Sequence, residues 1–365
     1  MSDTLQKLLY GLNQPPAEPW SAASAALFGA RPAIPPPTTA LGALGGLRGA
    51  PVSIGQTLLG GLSPLLATSS GWIAVTRRFE QLHQNIWLTQ PQVDDGVTKR
   101  AGVVSCLNRA YYGTSSETDN SFFVGSWGKN TMTRPPRDVD ICFVLPYAVY
   151  QRFETNVGNR QSALLQEVKA KLLATFPATD MSGDGQVALV KFGSYAVEVV
   201  PAFALQQQGR YWICNANAGG SYKQTAPVEE SNFIETTDAN NARNLRPLIR
   251  MLKTWQRACG VPIKSFHLEL LAAEFLAQSP WRLNTFFYFD WIIRDFFAYL
   301  YGKANGWVFA PGTMEAMSLG ADWQSRAESA YGRAVKACDH EKHNRVVEAG
   351  DEWQKIFGTD IPRYA

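Results

Sequence analysis

The chain has 365 residues, 45% of them hydrophobic and 18% charged, a length and balance that allow two cored domains and exclude disorder of the whole chain. Its 34 Lys+Arg against 31 Asp+Glu leave a formal net charge of +3, too small to mark a nucleic-acid or membrane binder, so any polyanion site must be local. Five cysteines (Cys106, Cys142, Cys214, Cys259, Cys338) are odd in number, widely spaced and free of CxxC pairs, which argues against a zinc site or a disulfide framework and for reduced thiols in the cytoplasm.

Residues 1–71 differ from the rest. Segments such as PAIPPPTTALGALGGLRGA are rich in Pro, Gly and Ala and nearly uncharged, the composition of a loop-like extension. The opening MSDTLQKLLYGLNQPP lacks the basic start and continuous apolar core of a signal peptide. No run approaches the roughly 18 apolar residues of a membrane span. From Trp72 the spacing predicts a helix over IAVTRRFEQLHQNIWLT, a turn at TQPQ, and a second helix ending at Gly113. A short strand FFVGS follows, then a polar, proline-containing connection WGKNTMTRPPR and a second strand, DVDICFVL. An amphipathic helix around SALLQEVKAKLLATF leads to two strands, GQVALVKF and YAVEVVPAF, flanking a tight turn. After Asn240 the pattern is helical: NLRPLIRMLKTWQRACG, then SFHLELLAAEFLAQS with Ser265 suited to an N-cap, an aromatic run TFFYFDWIIRDFFAYLYG read as core, and a last helical stretch ending at Gly358. The tail beyond it, GTDIPRYA, reads as short and exposed.

Three features carry chemistry. Gly125-Ser126 stands at a strand end, where glycine lets backbone approach a ligand and N–H groups with a hydroxyl can hold phosphate. Asp138 and Asp140, spaced i and i+2 on a strand, project from one face, while Val139, Ile141 and Phe143 take the other. Two like charges side by side call for a cation. Glu198 interrupts the apolar run AVEVVPAF on a later strand and points with Ala196 and Val200. All-oxygen carboxylate clusters suit Mg2+ that also takes ligands from a nucleoside triphosphate.

GS, then DVD, then a carboxylate on a later strand resembles the polymerase-beta-like nucleotidyltransferase superfamily. More narrowly, GSWGKNTMTRPPRDVDICFVLP, GDGQVALVKFGSYAVEVVPAF, LIRMLKTWQ and KSFHLELLAAEFL are similar to the bacterial cyclic GMP-AMP synthase-like nucleotidyltransferases, the CD-NTases of anti-phage signalling. The resemblance covers Trp72 to the C-terminus and implies an α+β fold, with a nucleotidyltransferase core over residues 72–210, a small mixed sheet with leading helices, and a helical lobe over 211–365. It implies that Asp138, Asp140 and Glu198 bind two Mg2+ ions (Mn2+ in their place), Glu198 departing from the Asp usual at the third position. Gly125, Ser126, Lys253 and Ser265 would hold the donor triphosphate and Phe266 would stack on a nucleobase. The implied activity is synthesis of a cyclic oligonucleotide, a cyclic dinucleotide above all, from ATP and/or GTP, with an effector that binds the product and a ubiquitin-transfer-like partner acting on the terminal Ala365. An enzyme adding nucleotides to an RNA, protein or small-molecule acceptor is the alternative, kept open by the basic doublets Arg77-Arg78 and Lys99-Arg100. A degenerate nucleotide-binding scaffold is disfavoured, since all three acidic positions hold carboxylates.

Overall fold

The structure is a computed structural model that describes residues 70–365 except 178 and 285–287. The extension read over 1–71 thus lies outside the described residues, save its last two positions. Within the described residues the chain divides into two compact units, one made of residues 87–236 and 309–316, the other of 70–86, 237–308 and 317–365. Two leading helices, α1 (Ser70–Ile86) and α2 (Gln90–Tyr112), go to different units. The turn expected at TQPQ is instead the start of α2: Thr89 is its N-cap, its N–H donates to Gln92 Oε1 at 2.9 Å, and Pro91 occupies the first turn, where a missing N–H costs nothing.

In the first unit the strands are β1 (Ser121–Phe123), β2 (Asp138–Val144), β3 (Asp180–Asp184), β4 (Val187–Lys191), β5 (Ala196–Ala204), β6 (Tyr211–Asn215) and β7 (Ser221–Thr225). They form one sheet in the order β1-β2-β5-β4-β3, with β6 paired to β5 and β7 to β6. β2 and β5 run parallel; the other pairings are antiparallel. The helices of this unit are α2, a short α3 (Gly125–Lys129), α4 (Tyr147–Glu154) and α5 (Arg160–Thr175). Its core holds Val139, Ile141 and Phe143 of β2 and Val197 and Val199 of β5 with Val103, Val104 and Leu107 of α2 and Leu164, Val168 and Leu172 of α5. Each such side chain contributes about 1.5–3 kcal/mol on burial. A slip of one residue in either strand would exchange them for carboxylates, so this apolar face holds the acidic residues to the other side.

The helix α6 (Pro227–Asn240) carries the chain into the second unit, whose further helices are α7 (Leu245–Ala258), α8 (Ser265–Gln278), α9 (Phe289–Tyr301), α10 (Gln324–Lys342) and α11 (Val346–Phe357). A two-stranded ribbon, β8 (Trp307–Phe309) with β9 (Ala316–Ser318), interrupts them. The aromatic run is core as read: Phe289, Trp291, Phe296 and Phe297 are buried. The stretch read as one last helix breaks at His343–Arg345, where Asn344 takes φ 58°.

Two boundaries differ from the sequence reading. The helix α1, expected with the catalytic core, belongs to the helical unit, because Phe79 packs edge-on against Trp353 and Phe357 at 5.0 and 6.4 Å. Residues 211–236, expected in the helical lobe, supply β6 and β7 to the sheet. The C-terminal tail is also not the free segment its composition suggests. Ile361 is fully buried, Arg78 Nε donates to Pro362 O at 3.1 Å, Asn85 Nδ2 to Asp360 O at 2.8 Å, and Arg363 grips Asp351 through two bonds of 2.5 and 3.0 Å. No described helix is long and apolar enough to cross a membrane, and all five cysteines are free thiols.

Candidate active site

The parallel register of β2 and β5 sets Asp138 opposite Ala196 and Asp140 opposite Glu198. Strand alternation then brings Asp138, Asp140 and Glu198 to one face. A carboxylate oxygen of each lies within 4.8 Å of the other two, and all three residues are half-buried. Such a set costs mutual repulsion, and three hard oxygen donors at this spacing fit a divalent cation of the Mg2+ or Mn2+ kind.

Gly125 stands against this cluster. It opens α3 rather than closing a strand, so the segment read as a polar connection begins with a helical turn. Its φ is +56°, and a Cβ there would lie 2.1 Å from Asp140 Oδ2 and 2.8 Å from its Cγ. Only glycine permits both the left-handed backbone and the approach of the carboxylate. Ser126 follows as the second residue of α3, and its carbonyl accepts from Thr131 N at 2.9 Å. Gly125→Ala is accordingly expected to lower turnover by about a hundredfold, the scale of a reacting group displaced by an ångström. Steady-state turnover alongside thermal melting checks this; activity within twofold of wild type would show that the close packing of Gly125 on Asp140 is dispensable.

Two residues that the sequence reading passed over hold α3 in place. Trp127 is buried, donates from Nε1 to Asp138 O at 2.7 Å and stacks on Phe123 at 5.3 Å. Its ring fills the space left by Gly96 of α2, where a Cβ would lie 2.5 Å from the indole. The available signals were a tryptophan directly after GS and a glycine inside a helical pattern, VDDGVTKR. Lys129, also buried, lies 3.8 Å from Glu230 Oε2.

The other three expected site residues belong to the second unit. Lys253 of α7 pairs through Nζ with Glu269 Oε1 of α8 at 2.6 Å, their side chains 11% and 3% exposed. Ser265 is the first residue of α8, not its N-cap, which is Lys264. Its hydroxyl donates to Gln256 Oε1 at 2.8 Å. Contact with an ionised phosphate oxygen would require that proton to turn from Gln256, since a hydroxyl has one to give. Phe266 follows on the same turn, half-buried. His267 is buried, and desolvation aided by Lys264 lowers its pKa, a poor state for a charged acid.

Residues 73–240, which span the acidic cluster and its sheet, match the Second Messenger Oligonucleotide or Dinucleotide Synthetase domain. Over these residues the chain carries the synthetase domain found in the CD-NTase family. With that domain it is a nucleotidyltransferase of the cyclic oligonucleotide synthase class. The "Probable cyclic nucleotide synthase" of Bacillus cereus (strain VD146) is 20% identical over 276 residues, 66% of this chain and 81% of that protein. The CBASS oligonucleotide cyclase CdnC of Escherichia coli (strain KTE188) is 26% identical over 162 residues, 42% of this chain and 49% of the cyclase, so this match spans about half the relative's length. Among solved structures, Escherichia coli DncV in its 3'-deoxy GTP bound form aligns with a TM-score of 0.59 at 14% identity, covering 76% of this chain and 93% of that one. CdnC of E. coli MS115-1, in complex with HORMA-deltaN, aligns at 0.57 and 17% identity over 78% and 97%. At these identities the alignments establish the polymerase-beta-like α+β fold.

Proposed function

We propose that this protein joins ATP and/or GTP into a cyclic oligonucleotide, a cyclic dinucleotide such as a cyclic GMP-AMP, as the signal of an anti-phage (CBASS) system. The observation that carries this reading is the convergence of Asp138, Asp140 and Glu198 within 4.8 Å on adjacent strands. These three carboxylates would hold two divalent ions, Mg2+ or Mn2+. Bound there, the ions would neutralise triphosphate charge and lower the pKa of a ribose hydroxyl. Gly125, with no side chain in the way, and Ser126, through its N–H and hydroxyl, would orient the donor phosphates beside Asp140. Lys253 and Ser265 would contact the triphosphate tail, and Phe266 would stack on a base. In each transfer the hydroxyl oxygen of one nucleotide bonds to the α-phosphorus of the other, the bond from that phosphorus to the β-phosphate bridging oxygen breaks, and pyrophosphate and a proton leave. The second transfer closes the ring.

An acceptor polymer is the weaker reading, because the basic doublets that suggested it are largely structural. Arg78 is fully buried, and Arg100 is 3% exposed, with its guanidinium 4.9 Å above the Phe123 ring and Nη2 donating to Ser121 O at 3.2 Å. Exposed Tyr364 and Ala365 lie beyond the Arg363–Asp351 clamp, and the effector would meet the product and not this chain. Incubating the protein with labelled ATP, GTP, CTP and UTP, singly and in pairs, with Mg2+, Mn2+ or EDTA, tests the function. The expected product resists phosphatase, yields to phosphodiesterase and is lost in EDTA. Label found only on a macromolecule or in open linear chains would overturn it.

A further inference from the structure

We propose that Glu269 is a positioning residue that holds the Lys253 ammonium for the donor polyphosphate; the inference rests on the reading of Lys253 as a phosphate contact. On α7, Lys253 and Gln256 are three apart, and on α8, Ser265 and Glu269 are four apart, so each pair shares a helix face one turn apart. Two bonds link these faces: Lys253 Nζ to Glu269 Oε1 at 2.6 Å, and Ser265 Oγ to Gln256 Oε1 at 2.8 Å. Gln256 is held in turn, its Nε2 donating to Ile263 O, which fixes the amide end that meets Ser265. Both residues expected at the triphosphate tail are therefore each tied to a residue of the neighbouring helix.

The chemistry of the pair favours positioning over mere neutralisation. A lysine has a flexible four-carbon stem, and a charge-assisted bond of this length selects one arrangement of it before nucleotide arrives. An ammonium carries three donors, so a bond to Glu269 is compatible with simultaneous contact to phosphate oxygens. The pair is almost wholly buried, where a lysine without a nearby carboxylate would tend to lose its proton. Glu269 thus aims the Lys253 ammonium from the neighbouring helix.

The experiment is a double-mutant cycle read as KM for ATP and GTP and as binding of a non-hydrolysable ATP analogue. Glu269→Ala is expected to raise KM about tenfold with kcat at saturation within about threefold. Glu269→Gln, which keeps an acceptor oxygen, should stay within about threefold of wild-type KM. In a Lys253→Ala background, Glu269→Ala should add nothing. Multiplying effects of Lys253→Ala and Glu269→Ala, or equal KM values for the Ala and Gln variants, would overturn the positioning role. An unchanged KM in Lys253→Ala alone would instead remove the donor-contact reading beneath it. If Glu269→Ala fails to fold, Glu269→Asp withdraws the carboxylate by one methylene and is expected to raise KM several-fold in the wild-type background alone; additivity with Lys253→Ala would sink the proposal in the same way.

Discussion

Replacing Asp138 and Asp140 together with asparagine is expected to lower nucleotide turnover by more than about a thousandfold, roughly 4 kcal/mol of barrier, while leaving the fold intact. Asparagine preserves the shape of both side chains and removes two of the three negative charges that lie within 4.8 Å. Without divalent ions the variant should melt at the wild-type temperature or above, because repulsion among carboxylates is relieved. Millimolar Mg2+ or Mn2+ should raise the melting temperature of the wild type and not of the variant, as binding to the native state alone requires. Turnover assays and melts with and without EDTA measure both effects. Activity within tenfold of wild type, or an equal ion-dependent shift in both proteins, would refute the metal-site assignment.

The second large effect is on stability and lies at Arg78. Its side chain is fully buried, with Nη1 bonded to Glu341, itself buried, and Nη2 donating to Val346 O at 2.7 Å. Burial lowers the guanidinium pKa to about 10, with Asp290 opposing the shift, so the cation persists at neutral pH. Arg78→Ala strands the Glu341 carboxylate and leaves tail carbonyls such as Pro362 O without their donor. Breaking one side of a buried pair costs about 3–5 kcal/mol, which for a unit of this size is a fall of roughly 10 °C in melting temperature. Arg78→Met combined with Glu341→Leu should recover much of the loss, since both charges then leave the interior. Melting of Arg78→Ala within about 2 °C of wild type would show that the pair contributes little.

Arg78 also illustrates what a sequence hides. In the string TRRFE it is one of two adjacent arginines, and nothing local distinguishes the buried one from the exposed Arg77. Helical spacing gives a hint, since residue 78 lies between Val75 and Leu82 on the apolar face, but only packing supplies Glu341, 263 positions away. Trp127 and Gly96 teach the same lesson: each is ambiguous alone, and their complementarity exists only when α2 crosses over the sheet. The C-terminal tail read as free because GTDIPRYA has little apolar content and a helix-stopping proline; several of its anchors are backbone carbonyls, which every sequence carries and no pattern reveals.

The sequence by itself determined the acidic constellation, because strand alternation is a local property. The spacing of Asp138 from Asp140, and the parity of Glu198 among Val197 and Val199, settle which face each side chain takes once the segments are strands. Local periodicity likewise marked the helices α7, α8 and α9 and the aromatic core. Tertiary structure alone decided that β2 and β5 are parallel neighbours in the register that sets Asp140 opposite Glu198, that Gly125 must lack a side chain because Asp140 occupies its Cβ position, and that Lys253 is held by Glu269. It also decided that α1 joins the helical unit. Each is a contact between residues remote in sequence, where the free energy of burial and ion pairing depends on which partner the fold delivers and not on any pattern within the segment.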